Sequence, residues 1–385
     1  MQFTTDAASN DDLYVQREII RLCENGLPDQ AEGYVTTTTT TANTTNDDDD
    51  DDDDATAPPP QVSTITMNHI LAGYVRVGKT NDAMSLLERM ESPEENGLAS
   101  PNVASYNTCL VGLPPQPSQN LLRDMIKMGM VNVSSFHTVL SNWGRAGELN
   151  RAVNVLNQMA QYASKTDQPS LAPDRTTFTM VLSLFAKRGM AREASLLLER
   201  MEHLQPDRVA LSAVITAWAN SGDPQAAPQA LKLLERMKLE SQHDPKLQPD
   251  VVAYNAVLAA MANTHNQGPQ AETLLRLMQK HSNLQPTVVS YATVLSAWKN
   301  SPLVPEAVDR AEALLFEMVY QDDICPPNTV CFATVLSAMA KRGMAERATQ
   351  LLERSQELVR SQRIDKIQPN AFVYASLLEG TLVFS

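Results

Sequence analysis

Apolar residues recur along most of the chain with the spacing of helices that are buried on one side. Tyr291, Val294, Leu295 and Trp298, for example, stand at positions i, i+3, i+4 and i+7, which places all four on one face of a helix. A second apolar segment follows each such helix and contains a pair of adjacent leucines. The pattern predicts pairs of helices that pack against each other through their apolar faces.

The helix pair is repeated along the chain. Residues 181–191 and 335–345 share nearly every amino acid, which identifies them as copies of one repeat. Successive copies start 30 to 43 residues apart, around the period of about 34 residues that paired-helix repeats show. Eight repeats are predicted to begin at Thr64, Val103, Val133, Arg175, Arg208, Val251, Val288 and Thr329, with a partial ninth at Ala371.

Places within a repeat are numbered from its first residue. A glycine at place 15 can take positive φ and is predicted to end the first helix. A small alanine at place 20 lets the second helix approach closely, and a proline closes each repeat because it cannot continue a helix interior. The glycines are at positions 78, 147, 189, 222 and 343, the alanines at 83, 152, 194, 307 and 348, and the prolines at 101, 173, 206, 249, 286, 327 and 369.

Several large side chains repeat at fixed places and are predicted to fill the core. Tyr or Phe at place 4 and tryptophan at place 11 fall on the same apolar face of the first helix. A methionine recurs near the end of the second helix. The tryptophans are Trp143, Trp218 and Trp298, and the methionines are at positions 90, 159, 201, 237, 278 and 318.

These repeats predict an all-α fold, a right-handed α-solenoid superhelix of stacked helix-turn-helix repeats over residues 62–385. Residues 1–35 are interpreted as a degenerate leading repeat, because Ile19–Gly26 resembles the end of a first helix. Residues 36–61, with eight consecutive aspartates, are predicted to be a disordered spacer. Most of the extra repeat length precedes the closing proline, so longer loops or second helices are expected there. The incomplete ninth repeat suggests a truncated chain.

Composition argues against several classes of protein. Hydrophobic residues make up 43% of the 385 residues, yet no apolar run reaches the length of a membrane helix. The four cysteines form no CxxC pair, and Cys325 and Cys331 are interpreted as small apolar fillers. The histidines lack metal-ligand spacing, and no arrangement of residues indicates a catalytic site. We therefore expect no enzyme activity, no metal, no cofactor, no small-molecule substrate and no membrane partner.

The openings of the repeats carry a family resemblance. Tyr106-Asn107, Tyr254-Asn255 and Tyr291-Ala292 each follow Val-x-Ser or Val-x-Ala, and the second helices end in variants of Leu-Leu-Glu-Arg-Met followed by Pro-Asp or Pro-Asn. Together with the glycine at place 15, these openings resemble the pentatricopeptide repeat family, in its pure-repeat class. The resemblance covers residues from about Thr64 to the C-terminus. It implies recognition of single-stranded RNA, one base per repeat.

The resemblance also implies which side chains contact the bases. In that family the base is read by place 5 and by the last residue of the repeat. The resulting pairs are Asn68 with Asn102, Asn107 with Asn132, His137 with Asp174, Thr179 with Asp207, Ser212 with Asp250, Asn255 with Thr287, Ala292 with Asn328, and Ala333 with Asn370. By the family pattern, asparagine at place 5 favours a pyrimidine, and threonine or serine with aspartate favours guanine. His137, Ala292 and Ala333 do not fit this pattern.

Two further sets of residues complete the expected RNA contacts. Place 2, which sandwiches the base in the family, is occupied by Ile65, Ala104, Ser134, Thr176, Val209, Val252, Val289 and Val330. Place 13 is Arg76, Arg145, Lys187 or Lys341 in four repeats and asparagine in three others. Such cations could neutralise phosphates. The alternative is that they only interact with the negative end of the helix dipole, as cations do in any protein.

Net charge does not favour a nucleic-acid ligand. Without the eight aspartates at positions 47–54, the net charge of −14 becomes −6, so the repeats are mildly acidic. This balance and the two alanines at place 5 support an alternative function as an α-solenoid scaffold for protein interaction. The family resemblance implies a mitochondrial or plastid protein that acts in RNA stabilisation, processing or translation, with other organellar proteins as further partners. Residues 1–15 do not have the composition of a transit peptide.

Overall fold

The computed structural model describes residues 10–44, 63–92, 98–280, 284–321 and 324–360. The chain divides into two compact units, Met1–Pro173 and Asp174–Ser385. All regular structure in the described residues is helical, which confirms the predicted all-α class. Each unit is a stack of helical hairpins, the arrangement expected of an α-solenoid.

Among its described residues, the first compact unit contains four hairpins. Its helices are α1 (Asn10–Glu24), α2 (Pro28–Thr44), α3 (Thr64–Val77), α4 (Thr80–Glu91), α5 (Val103–Gly112), α6 (Pro115–Met128), α7 (Val133–Ala146) and α8 (Leu149–Thr166), followed by a 3-10 turn at Pro169–Leu171. The first helices α1, α3, α5 and α7 contact one another in chain order. Each also packs on the second helix of its own hairpin.

The described part of the second compact unit contains five hairpins. Its helices are α9 (Arg175–Arg188), α10 (Ala191–Arg200), α11 (Arg208–Ser221), α12 (Ala226–Glu240), α13 (Val251–Asn263), α14 (Gly268–Lys280), α15 (Val288–Lys299), α16 (Ala307–Tyr320), α17 (Thr329–Ala340) and α18 (Ala345–Arg360). Two 3-10 turns, Glu202–Leu204 and Pro245–Leu247, follow α10 and α12. The first helices again contact one another in succession.

All eight predicted starts coincide with the first residue of a helix. The reason is a side-chain cap: Asn102, Asn132, Asp174, Asp207, Asp250 and Asn328 each precede a first helix and accept a hydrogen bond from the backbone N–H three residues later, at 2.8–3.1 Å. Short polar side chains at this position satisfy a backbone donor that the helix itself leaves free. The cap therefore fixes where these six repeats begin.

The predicted core is also found. The three tryptophans at place 11 are at most 6% exposed, and the six methionines of the second helices are at most 2% exposed. Alanine at place 20 is fully buried in each named repeat. Cys331 is buried, and burial raises the pKa of its thiol to about 11, as expected for an unreactive apolar filler.

Gly189 shows why glycine ends the first helix. Its φ is +65°, a left-handed conformation that residues with a side chain rarely adopt. A Cβ atom at this position would lie 2.4 Å from the carbonyl oxygen of Asn220 on the next first helix. Glycine is therefore required both by the turn and by the close contact between successive hairpins.

The predicted spacer is wrong at its beginning. Residues 36–44 belong to α2, which extends from Pro28 to Thr44. No proline or glycine interrupts this stretch, and the Thr36 hydroxyl donates to the carbonyls of Glu32 and Gly33, so the chain can remain helical. Residues 45–61, the partial ninth repeat and Asn370 lie outside the described residues.

The three asparagines at place 13 have a role that the sequence did not reveal. Asn220, Asn263 and Asn300 donate from Nδ2 to the carbonyl oxygen at place 12 of the preceding repeat, at 2.8–2.9 Å. These carbonyls belong to the last turn of a helix and lack a partner within it. The three side chains therefore link successive first helices of the second unit.

We expect Asn263→Ala to lower the free energy of unfolding by about 1 kcal/mol, because the Ala219 carbonyl loses its donor. Urea unfolding followed by circular dichroism would measure the change. Asn154→Ala, on the exposed side of α8, is the matched control and should be neutral or slightly stabilising, since alanine favours helix. Equal effects of the two substitutions would contradict the proposed link.

Candidate nucleic-acid interface

The packing of the first helices leaves one strip of each uncovered. An α-helix turns about 100° per residue, so places 2, 5 and 13 lie within about 80° of one another around the helix axis. Places 3, 4, 7 and 8 lie elsewhere and are buried in α9, where they are Thr177, Phe178, Val181 and Leu182. The residues that the family resemblance selects thus share one face of each first helix.

Place 2 exposes an apolar side chain in five of the eight repeats. Ile65, Val209, Val252, Val289 and Val330 are between 56% and 69% exposed. The four valines occupy consecutive repeats of the second compact unit. Ala104, Ser134 and Thr176 are also exposed at this place. A regular row of exposed β-branched side chains is not explained by packing within the protein and is typical of a binding surface.

The structure brings two of the predicted pairs into contact. Asn107 Nδ2 donates to Asn132 Oδ1 at 3.1 Å, and Asn68 Nδ2 donates to Asn102 Oδ1 at 3.4 Å. The second member of each pair is the cap of the following helix, which holds it beside place 5 of its own repeat. Asn102 and Asn132 thus cap a helix and also contact place 5. The preference for asparagine and aspartate as caps is a sequence signal for the first role, which the family resemblance alone did not identify.

In the second compact unit, no direct hydrogen bond joins the side chains of Thr179 and Asp207, or of Ser212 and Asp250, within the described residues. Thr179 Oγ1 is buried and has no partner there. Asp207 uses Oδ1 to cap α11, which leaves Oδ2 for another donor. Asp250 likewise caps α13 through Oδ1, and its Oδ2 lies 3.6 Å from Nε of Arg208. His137 and Asp174 belong to different compact units.

Asn255 has a different neighbour. Its Oδ1 accepts a hydrogen bond from Ser290 Oγ at 2.7 Å, and Thr287, its predicted partner, precedes the same helix. Ala292 and Ala333 carry no polar side-chain atom, and Ala333 is buried. Repeats 7 and 8 therefore present only apolar atoms at place 5.

A cleft in the first compact unit joins these places. It has a volume of about 460 Å³ and is lined by Val111 of α5 and by Ser134, His137, Ser141 and Arg145 of α7. Ser134, His137 and Arg145 occupy places 2, 5 and 13 of the third repeat. The predicted sandwiching, base-reading and phosphate positions of this repeat thus open onto one space.

The cations at place 13 are exposed and lack acidic partners within the described chain. Arg76, Arg145, Lys187 and Lys341 form no ion pair there, although Arg145 donates to Asn142 Oδ1. Positive charge accumulates at the end of the second unit, where burial and the nearby charge of Lys341 lower the pKa of Lys299. The strip therefore retains unpaired positive charge.

Arginines of the second helices, in contrast, are largely neutralised. Arg236 contacts Glu202 at 2.6 Å and Arg347 contacts Asp309 at 2.7 Å. Arg276 and Arg310 both pair with Glu272, which is buried and also accepts from Trp298 Nε1. Acidic and basic residues of the second helices thus pair with one another, away from the strip.

Other kinds of site find no support in the described residues. No group of three His, Cys, Asp or Glu side chains there could hold a metal ion. Among the same residues, no helix is long and apolar enough to cross a membrane.

Comparison with known families decides the identity of the repeats. The Pentatricopeptide repeat domain family matches residues 54–112 and 239–300, and the PPR repeat family matches residues 176–205. The matched segments are pentatricopeptide repeats. The matched segments lie in both compact units, and they include the starts of repeats 1, 2, 4, 6 and 7 or the residues beside them.

Three similar curated proteins are pentatricopeptide repeat-containing proteins of Arabidopsis thaliana. The first is 26% identical over 140 residues, which cover 34% of this chain and 18% of the relative. The second is 22% identical over 193 residues, covering 47% and 32%. The third, named as chloroplastic, is 24% identical over 186 residues, covering 46% and 22%. The matched part thus spans less than a third of each relative.

Similar solved structures include the maize pentatricopeptide repeat protein PPR10. The crystal structure of PPR10 in complex with an 18-nt psaJ RNA element is 17% identical, with a TM-score of 0.48, and covers 97% of this chain and 53% of that chain. The structure named as PPR10 from maize gives a TM-score of 0.40 at 17% identity, covering 97% and 56%.

Proposed function

We propose that the protein binds single-stranded RNA along the uncovered strip of its first helices, with one base for each repeat. The observation that carries this proposal is the exposed apolar side chain at place 2 beside a polar side chain at place 5. A base offers a flat apolar face and a polar edge, and this combination of side chains is complementary to both.

Valines of successive repeats would enclose a base between them. Val209 and Val252 belong to consecutive first helices that contact each other, and both side chains are more than half exposed. Ser212, at place 5 of the same repeat as Val209, and Asp250, which has one carboxylate oxygen outside the cap, would contact the polar edge of that base. A carboxylate accepts from the N–H donors of guanine, whereas a hydroxyl can donate or accept.

The order of place 5 residues gives a preferred sequence. From repeat 1 to repeat 8, in the 5′ to 3′ direction of the family, it is pyrimidine, pyrimidine, unassigned, G, G, pyrimidine and two unassigned bases. Repeats 4 to 6, from Thr179 to Asn255, fit the family pattern best. We expect base contacts to be most selective there.

The phosphates would lie near the end of each first helix. A residue at place 13 is about 16 Å along the helix axis from place 2, and the four cations there have no acidic partner in the described chain. Such charges favour a polyanion despite the acidic composition of the whole chain.

The biological consequence would be occupancy of a transcript. A bound strand is held out of secondary structure and is protected from exonucleases, so the protein would act in organellar RNA stabilisation, processing or translation. The chloroplastic relative supports an organelle as its location. Other organellar proteins would be secondary partners.

A protein ligand is the second candidate, and repeats 7 and 8 favour it. Val289 and Val330 are exposed, and Ala292 and Ala333 at place 5 offer no hydrogen bond. An apolar side chain of a partner would suit this part of the strip better than the edge of a base. Selection from a random RNA pool separates the candidates, because a protein scaffold would enrich no motif.

We expect Thr179→Asn to change the preference of repeat 4 from guanine toward a pyrimidine. The substitution replaces a hydroxyl whose oxygen has no partner in the described chain with an amide at the same place. Selection and sequencing of bound RNA, with wild type in parallel, measures preference at each position. A change spread over many positions, or none at all, would contradict a separate contact for each repeat.

Removing charge at place 13 should weaken the salt dependence of RNA binding. Lys187→Gln with Lys341→Gln would reduce the slope of log affinity against log salt by about 1.4, if each lysine contacts one phosphate of a single strand. Filter binding between 50 and 300 mM salt measures the slope. Lys232→Gln with Lys280→Gln, on exposed positions of second helices, is the matched control and should leave the slope nearly unchanged.

A further inference from the structure

Asparagine at place 5 is accompanied in this chain by a serine in the next repeat. Asn68, Asn107 and Asn255 are followed, at place 3 of the next repeat, by Ser105, Ser135 and Ser290. Repeats with another residue at place 5 are followed by Thr177, Ala210, Ala253 or Cys331. The two places are 28 to 37 residues apart, so the association must arise through space.

Asn107 and Ser135 show the contact in the first compact unit. Ser135 Oγ accepts from the backbone N–H of Asn132 at 3.2 Å and donates to Asn107 Oδ1 at 2.6 Å. Asn132 Oδ1 accepts from the Ser135 N–H at 3.0 Å and from Asn107 Nδ2 at 3.1 Å. Both ends of the Asn107 amide therefore have a partner of opposite polarity.

This arrangement fixes the orientation of the amide. Asn132 Oδ1 is committed as an acceptor by the cap, so a flipped Asn107 would place two carbonyl oxygens against each other. Such a flip would lose both hydrogen bonds and add a repulsion. Asn107 therefore directs Oδ1 toward the protein and keeps its second Nδ2 hydrogen for a ligand.

The second compact unit repeats the contact at Asn255. Ser290 Oγ accepts from the Thr287 backbone N–H at 3.0 Å and donates to Asn255 Oδ1 at 2.7 Å. In the first repeat, Ser105 Oγ instead donates to Asn102 Oδ1 at 3.2 Å, and Asn68 Oδ1 has no partner among the described residues. The first repeat therefore has the serine and the asparagine, but not the hydrogen bond between them.

Repeats with a hydroxyl at place 5 lack this donor. Ala210 follows Thr179 and Ala253 follows Ser212, and neither alanine can donate from its side chain. The place 5 hydroxyl then keeps both its proton and its lone pairs for a ligand. Asparagine at place 5 is thus followed by a serine that can donate to its oxygen. A threonine or serine at place 5 is followed by an alanine, which leaves the hydroxyl without such a donor.

We propose that the serine at place 3 of the following repeat is a specificity-determining positioning residue, which orients the asparagine at place 5 so that an N–H donor faces the ligand. For a base, this favours the carbonyl acceptor O2 that cytosine and uracil share. The specificity part of the proposal rests on the proposed RNA-binding function. The orientation of the amide does not, so it can be tested without RNA.

The loss-of-function test uses Ser290→Ala and Ser290→Thr, with the four bases compared in turn at the position that repeat 6 contacts. Ser290→Ala should reduce discrimination between pyrimidine and purine at that base about 2- to 10-fold, the range for one lost hydrogen bond. Ser290→Thr keeps the hydroxyl and should restore discrimination. If Ser290 only capped α15, Ser290→Ala would instead weaken binding of all four RNAs equally. This result would overturn the proposal.

The gain-of-function test uses the neighbouring guanine repeat. Thr179→Asn alone leaves Ala210 beside the new amide, so we expect only a partial change toward pyrimidine. Thr179→Asn combined with Ala210→Ser should discriminate about 2- to 10-fold more strongly than the single variant. Ala210→Ser alone is the control for the cap and for stability. Equal preference in the single and double variants would count against the coupling.

NMR spectra of the side-chain amides in the RNA-free protein test the orientation of asparagine separately from the proposed RNA binding. The Asn255 side-chain amide signals should move in Ser290→Ala, and its protons should exchange faster, while Ser290→Thr stays close to wild type. Unchanged Asn255 signals in Ser290→Ala would disprove the orientation regardless of RNA. If wild type enriches no RNA motif but these signals move as expected, the proposed function fails and the orientation stands.

Discussion

First helices are packed on three sides, and this constraint determines where a ligand can be bound. Within each compact unit, a first helix that lies between two others contacts both of them and the second helix of its own hairpin. Aromatic and branched side chains fill these contacts, so only the narrow strip through places 2, 5 and 13 can carry residues chosen for another purpose. A stack of such helices necessarily presents equivalent strips in register within each compact unit.

Helix capping connects this packing to recognition. A cap must be a short polar side chain just before the helix, and successive first helices are in contact, so the cap of one lies beside place 5 of the previous one. Asp207 and Asp250 each use one carboxylate oxygen for the cap; the other oxygen of Asp207 has no such role, and that of Asp250 lies 3.6 Å from Arg208 Nε. The same residue can thus define the start of a repeat and contact a ligand, and replacing it would alter stability and specificity together.

Much of the fold could be predicted from the sequence because its determinants are local. Caps, glycines and the apolar period repeat at constant places, and they predicted the first residue of the eight first helices from α3 to α17. The extent of α2 could not be predicted in the same way. Threonine runs resemble disordered sequence in composition, yet nothing in residues 36–44 prevents a helix that Pro28 has already started.

The candidate site was less predictable because its interactions connect residues of different repeats. The family resemblance supplied places 2, 5 and 13, but it treated asparagine and lysine at place 13 as equivalents. Asn263 links two helices, whereas Lys341 at the same place is exposed to solvent. Ser290 gave no signal of its own, since a serine three residues after Thr287 reads as an ordinary capping box.

Charge illustrates why composition is a poor guide to the ligand of such a protein. Several glutamates of the second helices are paired with arginines of the same or neighbouring second helices, as Glu317 and Glu272 are with Arg276. An acidic group that is already paired contributes little field at a distance, particularly at physiological salt. The potential along the strip therefore depends on the unpaired cations at place 13 and on the aspartates that cap the first helices. Since each of those aspartates lies at a helix N-terminus, where the helix dipole offsets its negative charge, an acidic chain can still present a surface suited to a polyanion.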